Sequence, residues 1–256
     1  MLTEQLTVDA LILERICARG WPGIEQEWQG EWLLRAGHGF TGRANSVLVL
    51  GRPGAELPTA IEHARAWYAA RTLPARFQLP TGAVGPALQE IDAELSDRGW
   101  QQFDDVVVLV ADVRSVRDQL PPPLAGLRVT IDEHPDPTWL SLYEYRGKSL
   151  PPTAIEVLRA GTSPFFVTLY DGTDPVAVTR GCVTDGWMGI TAVTVPSRFR
   201  RRGFGTEVLR AAVSRAESLG AQGGYLQVSR DNAGALALYR GLGFVEHHGY
   251  HYRDRP

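Results

Sequence analysis

The segment from residue 193 to residue 206 reads Val193-Thr194-Val195-Pro196-Ser197-Arg198-Phe199-Arg200-Arg201-Arg202-Gly203-Phe204-Gly205-Thr206. Its first residues are typical of a buried strand, which Pro196 ends. From Thr206 to Leu219 the apolar residues recur on one helical face, and Gly220 follows as a C-terminal cap. A strand, a short loop and a helix in this order direct unpaired backbone N–H groups and the positive end of the helix dipole toward the loop. The segment therefore predicts a site for a phosphate or pyrophosphate.

The glycines and arginines of this loop agree with that prediction. Gly203 and Gly205 lack a Cβ where the backbone would curl around the phosphates, and both are expected to reach left-handed backbone angles. The arginines at 200–202 would add charge for the diphosphate or for a ribose phosphate. A turn with solubilising arginines is the alternative. A triphosphate P-loop fits poorly because no Gly-Lys-Ser/Thr follows, and a dinucleotide loop fits poorly because a third glycine near Val208 is missing.

The composition of the 256 residues is that of a globular protein, with 44% hydrophobic and 21% charged residues and a formal net charge of −3. This near-neutral balance argues against nucleic acid as a partner. No apolar run reaches membrane-spanning length and the N-terminus lacks the basic region of a signal peptide, so we expect no membrane partner. Two cysteines, Cys17 and Cys182, are too few for a disulfide framework and favour a reducing, cytoplasmic location.

A proline-rich segment divides the chain. Residues 121–123 are three consecutive prolines, which cannot continue a helix or enter a central strand, so residues 121–126 are interpreted as an extended linker. The length suits two domains, residues 1–120 and 127–256. In both, strand and helix patterns alternate, which predicts a mixed α/β fold with helices on both faces of a sheet.

The second half carries the clearer pattern of elements. Strands are predicted there at 127–131, 165–169, 176–184, 187–195, 225–228, 244–248 and 250–253, and helices at 137–145, 154–159, 206–219 and 233–242. The first half has a fainter version of this order, with strands at 32–36, 46–50, 75–79 and 106–112 and helices at 60–71 and 87–98. We interpret the two halves as a degenerate duplication of one fold.

A second motif lies at the start of the helix after the next strand. It runs Asn232-Ala233-Gly234-Ala235-Leu236-Ala237-Leu238-Tyr239, and Gly243-Phe244 follows. The two segments together resemble the GCN5-related N-acetyltransferase (GNAT) superfamily. Its first signature, Arg/Gln-x-x-Gly-x-Gly/Ala, corresponds to Arg200, Gly203 and Gly205. Its second, Asn-x-x-Ala-x-x-Leu-Tyr-x-x-x-Gly-Phe, corresponds to the run that begins at Asn232. The resemblance covers residues 128–253 well and residues 1–120 weakly.

The resemblance implies a fold and a reaction. The fold would be a central mixed, mostly antiparallel sheet flanked by helices, in two GNAT-like domains of which the first is degenerate. The reaction would be transfer of an acetyl group from acetyl-CoA, the cosubstrate, to a primary amine by direct attack, without a metal. The expected partners are acetyl-CoA and an amine acceptor, and the chain would be a monomer or a homodimer.

The resemblance also implies roles for individual residues. The backbone of Val193, Thr194 and Val195 would pair with the pantetheine arm as a further strand, and one N–H there would polarise the thioester carbonyl. The loop residues 201–206 would hold the pyrophosphate. Asn232 would bond the pantetheine arm, although a helix N-cap explains it equally well. Tyr239 would protonate the departing thiolate, with a core tyrosine as the alternative.

The general base has no clear sequence signal. Glu144 lies in the predicted acceptor-binding helix and is the candidate we name, with Asp185 and Glu246 near strand ends as others. Each is more simply explained as a solvated surface carboxylate. The acceptor is likewise left open among a small amine, an antibiotic, a peptide N-terminus and a protein lysine.

Two further sequence features were considered as functional sites, and neither predicts one. In the C-terminal tail, strand alternation places His247 and His251 on one face and His248 on the other, which leaves two ligands without a carboxylate or cysteine and predicts no metal site. In the first half, residues 50–54 (Leu-Gly-Arg-Pro-Gly) stand where a second phosphate loop is expected but lack Gly-x-Gly. We expect the first half to shape the acceptor cleft, with a remnant cofactor site as the alternative.

Two other functions remain compatible with the sequence. One is a non-catalytic acyl-CoA-binding or sensor module that keeps the cofactor fold. The other is an acyltransferase that uses a longer acyl-CoA. Tyr239 favours an enzyme over a sensor, because a binding module has no need of that phenol.

Overall fold

The computed structural model describes residues 7–82, 84–143 and 149–255. The first half of the chain (residues up to 120) forms, in order, α1 (Ala10–Gly20), β1 (Glu25–Gln29), β2 (Trp32–Ala36), β3 (Val47–Val49), α2 (Leu57–Ala69), β4 (Arg76–Thr81), α3 (Pro86–Asp97), β5 (Gln101–Asp112) and α4 (Val113–Gln119). The second half (residues from 127) forms β6 (Leu127–Asp132), α5 (Pro137–Leu142), α6 (Ala154–Arg159), β7 (Phe165–Asp171), β8 (Asp174–Thr184), β9 (Trp187–Thr194), α7 (Phe204–Ser218), β10 (Gly223–Ser229), α8 (Ala233–Gly241) and β11 (Val245–Asp254). This mixed α/β architecture agrees with the predicted fold class.

All the strands join one sheet of eleven, in the order β1-β2-β3-β4-β11-β5-β10-β9-β8-β7-β6. The halves exchange their last strands. β11 of the second half pairs with β4 and β5 of the first, and β5 of the first half pairs with β10 of the second. Two parallel pairs, β3 with β4 and β9 with β10, stand at equivalent places on either side of this exchange. The sheet is otherwise antiparallel, and the repeated arrangement supports the interpretation of a duplicated fold.

Alternation along the strands divides the core between the two faces of the sheet. In β5, Val107, Leu109 and Ala111 pack with α4, α7 and α8, whereas Val106, Val108 and Val110 pack on α1. A further cluster joins α5 and α6 to the same face as α1, with Trp139 and Phe166 at its centre. Both faces are therefore covered, and the face that carries α7 and α8 is the one expected to receive the cofactor.

Three elements were absent from the predictions. Helix α1 is capped by Asp9, whose Oδ1 accepts from the N–H groups of Leu11 and Ile12, at 2.8 and 3.2 Å. Helix α4 is short and begins directly after β5, where Asp112 accepts from Ser115 N–H. Strand β1 is a polar edge strand with mostly exposed side chains, so it has no alternating pattern.

The prediction of two terminal strands at 244–248 and 250–253 is wrong, because β11 is one strand. Gly249, which separates the two predicted strands, lies inside β11 between Thr81 of β4 and Val107 of β5. A Cβ on Gly249 would lie 3.0 Å from Thr81 Oγ1 and 3.1 Å from Val106 O. The glycine thus permits close approach between strands rather than a reversal of the chain.

Residues 121–126 form neither helix nor strand. The domain limits of 1–120 and 127–256 stay a proposal, and the shared sheet means that neither half completes its own sheet alone. The longest helix, α7, has 15 residues, and no described helix has the length and apolarity needed to cross a bilayer.

Candidate active site

The parallel strands β9 and β10 separate part-way along their length. They pair from Trp187 opposite Gly223 to Ile190 opposite Leu226, and no pairing follows beyond that point. A bulge in β9, where Ala192 has a φ of +56°, accompanies the separation. A positive φ is unfavourable for alanine, and such outliers and bulges concentrate at functional sites. The sheet therefore opens where the sequence predicted a cofactor arm.

A cavity of about 590 Å³ passes through this opening. It connects the α8 face of the sheet with the face covered by α1 and α5. Its second-half lining consists of residues 190–194 of β9, residues 226–229 of β10, and Tyr143, Asn232, Ala235, Tyr239, Tyr250 and Tyr252. Its first-half lining consists of Gly39, Thr41, Gly42, Arg43, Asn45, Leu73, Pro74, Arg76, Asp104 and Val106. Val193 and Thr194 line the cavity, and Val195 lies just outside it.

The loop at 200–203 leads into an uncapped helix. Gly203 is the N-cap of α7 and no described side chain caps this end. The carbonyl of Gly203 accepts from the N–H groups of Thr206 and Glu207, at 3.0 and 3.1 Å. The N–H groups of Phe204 and Gly205 precede them in the first turn, where helices have no backbone partners of their own. This helix end suits an anion.

The two glycines of the loop differ in what they do. Gly203 has a φ of +83°, as expected, whereas the expectation of a left-handed Gly205 is wrong, because its φ is not positive. A Cβ on Gly205 would meet only Leu238 at 3.5 Å and Val195 at 3.8 Å, which are ordinary contacts. The protein's own packing therefore does not require glycine at 205, and a close approach by a ligand would. Arg201, with a φ of +65°, is the second left-handed residue of this turn.

The three arginines of the loop are exposed at its surface. Arg200 Nε donates to the carbonyl of Val195 at 3.2 Å, and Arg202 pairs with Asp171 at 3.0 Å. Exposed pairs of this kind contribute little to stability. The arginines therefore remain available as a positive rim beside the helix end.

Asn232 and Tyr239 lie on one helix beside the opening. Asn232 Oδ1 accepts from Ala235 N–H at 3.1 Å, so the N-cap role is present, and the residue also lines the cavity. The ring of Tyr239 is 7% exposed and packs edge-on against Phe244, with 6.0 Å between centroids. Within the described part of the chain its hydroxyl has no hydrogen-bond partner. The side chain of Tyr239 is therefore mostly buried, and it forms part of the cavity lining.

Burial raises the pKa of Tyr239 well above its usual value. The phenol therefore stays protonated throughout the physiological pH range and remains able to donate. A thiol leaving group in the same cavity would also have its pKa raised by desolvation, so the two pKa values would rise together.

Of the three carboxylates weighed as the base, the two that the structure describes do not line the cavity. Glu144 lies outside the described residues. Asp185 pairs with Arg19 in the turn between β8 and β9, at the paired end of β9, and Glu246 pairs with Arg230 at 2.6 Å. Neither Asp185 nor Glu246 lines the cavity. These two candidates are therefore surface ion pairs.

Each histidine of β11 has its own partner in the first half. His248 Nε2 lies 3.0 Å from Glu14 Oε1, His251 Nε2 lies 2.9 Å from Asp92 Oδ1, and His247 Nε2 lies 2.8 Å from the carbonyl of Val8. A bulge at His247 in β11 brings the rings of His247 and His248 together beside α1, whereas His251 contacts Asp92 of α3, contrary to simple alternation. Among the described residues no three His, Cys, Asp or Glu side chains come together in a way that could hold a metal ion. The histidines attach β11 to the first half.

Sequence analysis did not identify the individual residues on the acceptor side of the cavity. Arg43, Arg76 and Asp104 come from three separate segments of the first half, and Tyr250 and Tyr252 come from β11. No local motif joins them. One signal was present, since Asp104 and Asp105 directly precede the apolar run of the predicted strand 106–112, and carboxylates are unusual beside a central strand.

Comparison with known proteins identifies the family. The family model described as "Probable histone acetyltransferase Rv0428c C-terminal" matches residues 7–253, nearly the whole chain. The chain is 33% identical over 246 residues to the probable histone acetyltransferase Rv0428c of Mycobacterium tuberculosis, covering 94% of this chain and 72% of that protein. It is 27% identical over 259 residues to the uncharacterized N-acetyltransferase YobR of Bacillus subtilis, covering 94% of this chain and 96% of that protein.

A solved structure shares the whole fold. The GCN5-related N-acetyltransferase from Kribbella flavida superposes with a TM-score of 0.73 at 18% identity, covering 98% of this chain and 96% of that chain. The likeness extends across both halves and confirms the GNAT fold. The chain belongs to the Rv0428c C-terminal family within the GCN5-related N-acetyltransferase superfamily, and it is an acyltransferase of that type.

Proposed function

We propose that the protein transfers the acetyl group of acetyl-CoA to a primary amine, with the whole cofactor site in the second half of the chain. The observation that carries this is the opening between β9 and β10. It forms a cavity that reaches both faces of the sheet, with Tyr239 on one side. A cosubstrate and an acceptor could therefore meet from opposite faces.

The binding roles follow from the geometry of the opening. Where β9 loses its partner, the backbone groups of Val193, Thr194 and Val195 would bond the pantetheine arm. The first turn of α7, from Gly203 to Thr206, would hold the pyrophosphate, with positive charge from Arg200, Arg201 and Arg202 nearby. Asn232 would cap α8 and contact the arm at the same time, because its amide N–H₂ remains for the ligand while its Oδ1 accepts from Ala235.

The chemical roles require one activated carbonyl and one proton donor. Acetyl-CoA would supply the acetyl group as a thioester. A backbone N–H in the separated part of β9 would stabilise negative charge on the carbonyl oxygen. Tyr239 would hold its proton until the sulfur leaves, in keeping with the raised pKa of its buried phenol.

The experiment is a thiol-release assay with purified protein, acetyl-CoA and a panel of amines. The panel contains small alkylamines, amino sugars, peptides with free N-termini and lysine-rich proteins. The last arm is included because the mycobacterial relative is named a probable histone acetyltransferase. We expect turnover with at least one class. Tyr239→Phe should lower kcat about 100-fold and leave the KM for acetyl-CoA almost unchanged.

A matched control is Tyr68→Phe in the first half. The hydroxyl of Tyr68 is also buried, but it donates to the carbonyl of Arg35 at 2.9 Å, and Tyr68 does not line the cavity. This variant should lose stability and keep its kcat. Tight binding of acetyl-CoA with no turnover on any amine, unaffected by Tyr239→Phe, would contradict the proposal and favour a sensor. Faster turnover with a longer acyl-CoA would change the donor and leave the site as proposed.

A further inference from the structure

The acceptor side of the cavity contains a carboxylate in an unusual backbone position. Asp104 is the one Asp or Glu among the described residues that line the cavity, and it is half-buried. It comes from β5, the strand that the first half inserts beside β10. Ser229 at the end of β10 pairs with Val106 and lines the same cavity, so Asp104 lies just beyond the end of β10, close to the start of α8.

A bulge in β5 sets the conformation of Asp104. In the pairing of β5 with β11, Phe103 lies opposite Tyr252 and Val106 opposite Tyr250, so two residues of β5 face one of β11. Asp104 has a φ of +50° there. Aspartate tolerates this region better than most residues, yet glycine would adopt it without strain. Bulges of this kind often redirect a side chain beside an active site. The strain thus accompanies a carboxylate presented to the cavity.

Two arginines share this wall of the cavity, and each has a contact within the protein. Arg76 of β4 pairs with Asp254 at 3.1 Å and lies 4.6 Å from the ring of Phe103. Arg43 donates to Gln227 Oε1 at 2.9 Å. The remaining titratable groups of the described lining are phenols, namely Tyr143, Tyr239, Tyr250 and Tyr252. Asp104 is thus the one carboxylate of the described lining that a cationic acceptor would meet.

We propose that Asp104 binds the ammonium group of the acceptor and takes its first proton, so that the first half supplies a catalytic residue to the site in the second half. This rests on the proposed function. The carboxylate accepts one proton from R–NH₃⁺ and passes it to water at the cavity mouth. The nitrogen then forms the C–N bond as the C–S bond breaks. The sulfur takes the proton of Tyr239, and the second proton lost by the nitrogen restores the phenol.

The test compares two amines of similar shape. Benzylamine is a cation at neutral pH and must be bound and deprotonated, whereas aniline is already neutral. For Asp104→Asn we expect kcat/KM with benzylamine to fall about 100-fold and with aniline by less than about threefold. The KM for acetyl-CoA should not change. Asp105→Asn is the matched control, because Asp105 is exposed, pairs with Arg230 at 3.2 Å and does not line the cavity. Equal losses with both amines, or no loss, would overturn the assignment.

A binding measurement separates this proposal from the proposed function. The dissociation constant of benzylammonium is measured by calorimetry in the presence of CoA and needs no turnover. It should rise about tenfold in Asp104→Asn and stay unchanged in Asp105→Asn. Equal dissociation constants in wild type and Asp104→Asn, or no measurable binding to wild type, would overturn the role of Asp104. Absence of thiol release by wild type with every amine would instead overturn the proposed acetyl transfer.

Discussion

The two parallel strand pairs of the sheet have the same topology but different surroundings. In the second half, β9 and β10 separate after Ile190 and open a cavity. In the first half, β3 and β4 pair at Val47 and Leu48, and the side chains around them form a closed core with α2 and α3. The difference lies in the loop that follows each first strand.

The loop after β3 is occupied by the protein itself. The Glu31 carboxylate accepts from the N–H of Arg52 at 3.0 Å and lies so close to Gly51 that a Cβ there would displace it. The carbonyl of Gly51 accepts from the indole N–H of Trp32 at 3.0 Å. Glu31 thus brings its own negative charge to the loop after β3.

Helix α2 is also less suited to an anion than α7. It begins after Glu56, and Pro58 in its first turn lacks an N–H. In α7 the corresponding turn follows Gly203 and carries Gly205, with arginines beside it. One fold can therefore serve two purposes. A first helical turn with free N–H groups can bind an anion, whereas a first turn that contains proline and follows a carboxylate can only support the sheet.

The largest expected effect is a loss of stability when the contacts of the exchanged strands, which hold the two halves together, are removed. Glu14 of α1 bonds His248 of β11 at 3.0 Å and Gln78 of β4 at 3.0 Å, all of them buried. Glu14→Ala should lower the free energy of unfolding by about 3 kcal/mol, because buried partners are left unpaired. Urea unfolding followed by circular dichroism measures it. The control Glu62→Ala removes an exposed pair with Arg65 and should cost less than about 0.5 kcal/mol.

The next prediction concerns a variant in which the start of α7 carries a carboxylate, as the loop after β3 does. Gly205→Glu places a carboxylate at the first turn of α7, as Glu31 does after β3. It should weaken acetyl-CoA binding about 100-fold, since like charge then meets the pyrophosphate. Calorimetry gives the dissociation constant. Gly241→Glu is the control, because a side chain there meets nothing within 4 Å. Equal affinity in Gly205→Glu and wild type would remove the pyrophosphate from this turn.

A smaller effect tests the second attachment of β11 through its pH dependence. Burial opposes ionisation of Asp92, but hydrogen bonds from His251 and Arg253 outweigh it and lower the pKa of this carboxyl below its usual range. The stabilisation is therefore present above the unfolded pKa of about 4 and is lost as pH falls through the lower folded pKa. Asp92→Asn should destabilise by about 1 kcal/mol at neutral pH and flatten the acid decline. An equally steep decline in the variant would assign it to other groups.

The smallest effect is expected when the Glu31 carboxylate is removed from the loop after β3. Glu31→Ala should cost about 1 kcal/mol of stability and create no cofactor site, because Glu56 and Pro58 still disfavour an anion at α2. Calorimetry should then show the same acetyl-CoA stoichiometry as wild type. Appearance of a second binding site in Glu31→Ala would show that this carboxylate alone closes the first half.

Local sequence patterns predicted the residues proposed to bind the cofactor. The residues on the acceptor side of the cavity depend on pairing between distant strands and were not predicted. The helix after Gly203 and the run from Asn232 to Tyr239 are continuous in sequence, so their caps and periodicity could be recognised directly. Asp104 reaches the cavity only because β5 is inserted beside β10, and a strand's own sequence does not specify a partner more than a hundred residues away. The histidines of β11 were misplaced for a related reason, since bulges shift the alternation on which the prediction relied.

Hydrogen–deuterium exchange with and without acetyl-CoA tests most directly whether the cofactor site belongs to the second half alone. We expect slower exchange on binding in the two strand segments 190–195 and 226–229, in the first turn of α7 and at the start of α8. Exchange in residues 47–58 of the first half should not change. Protection of residues 47–58 to the same degree, or no protection at the first turn of α7, would contradict this expectation.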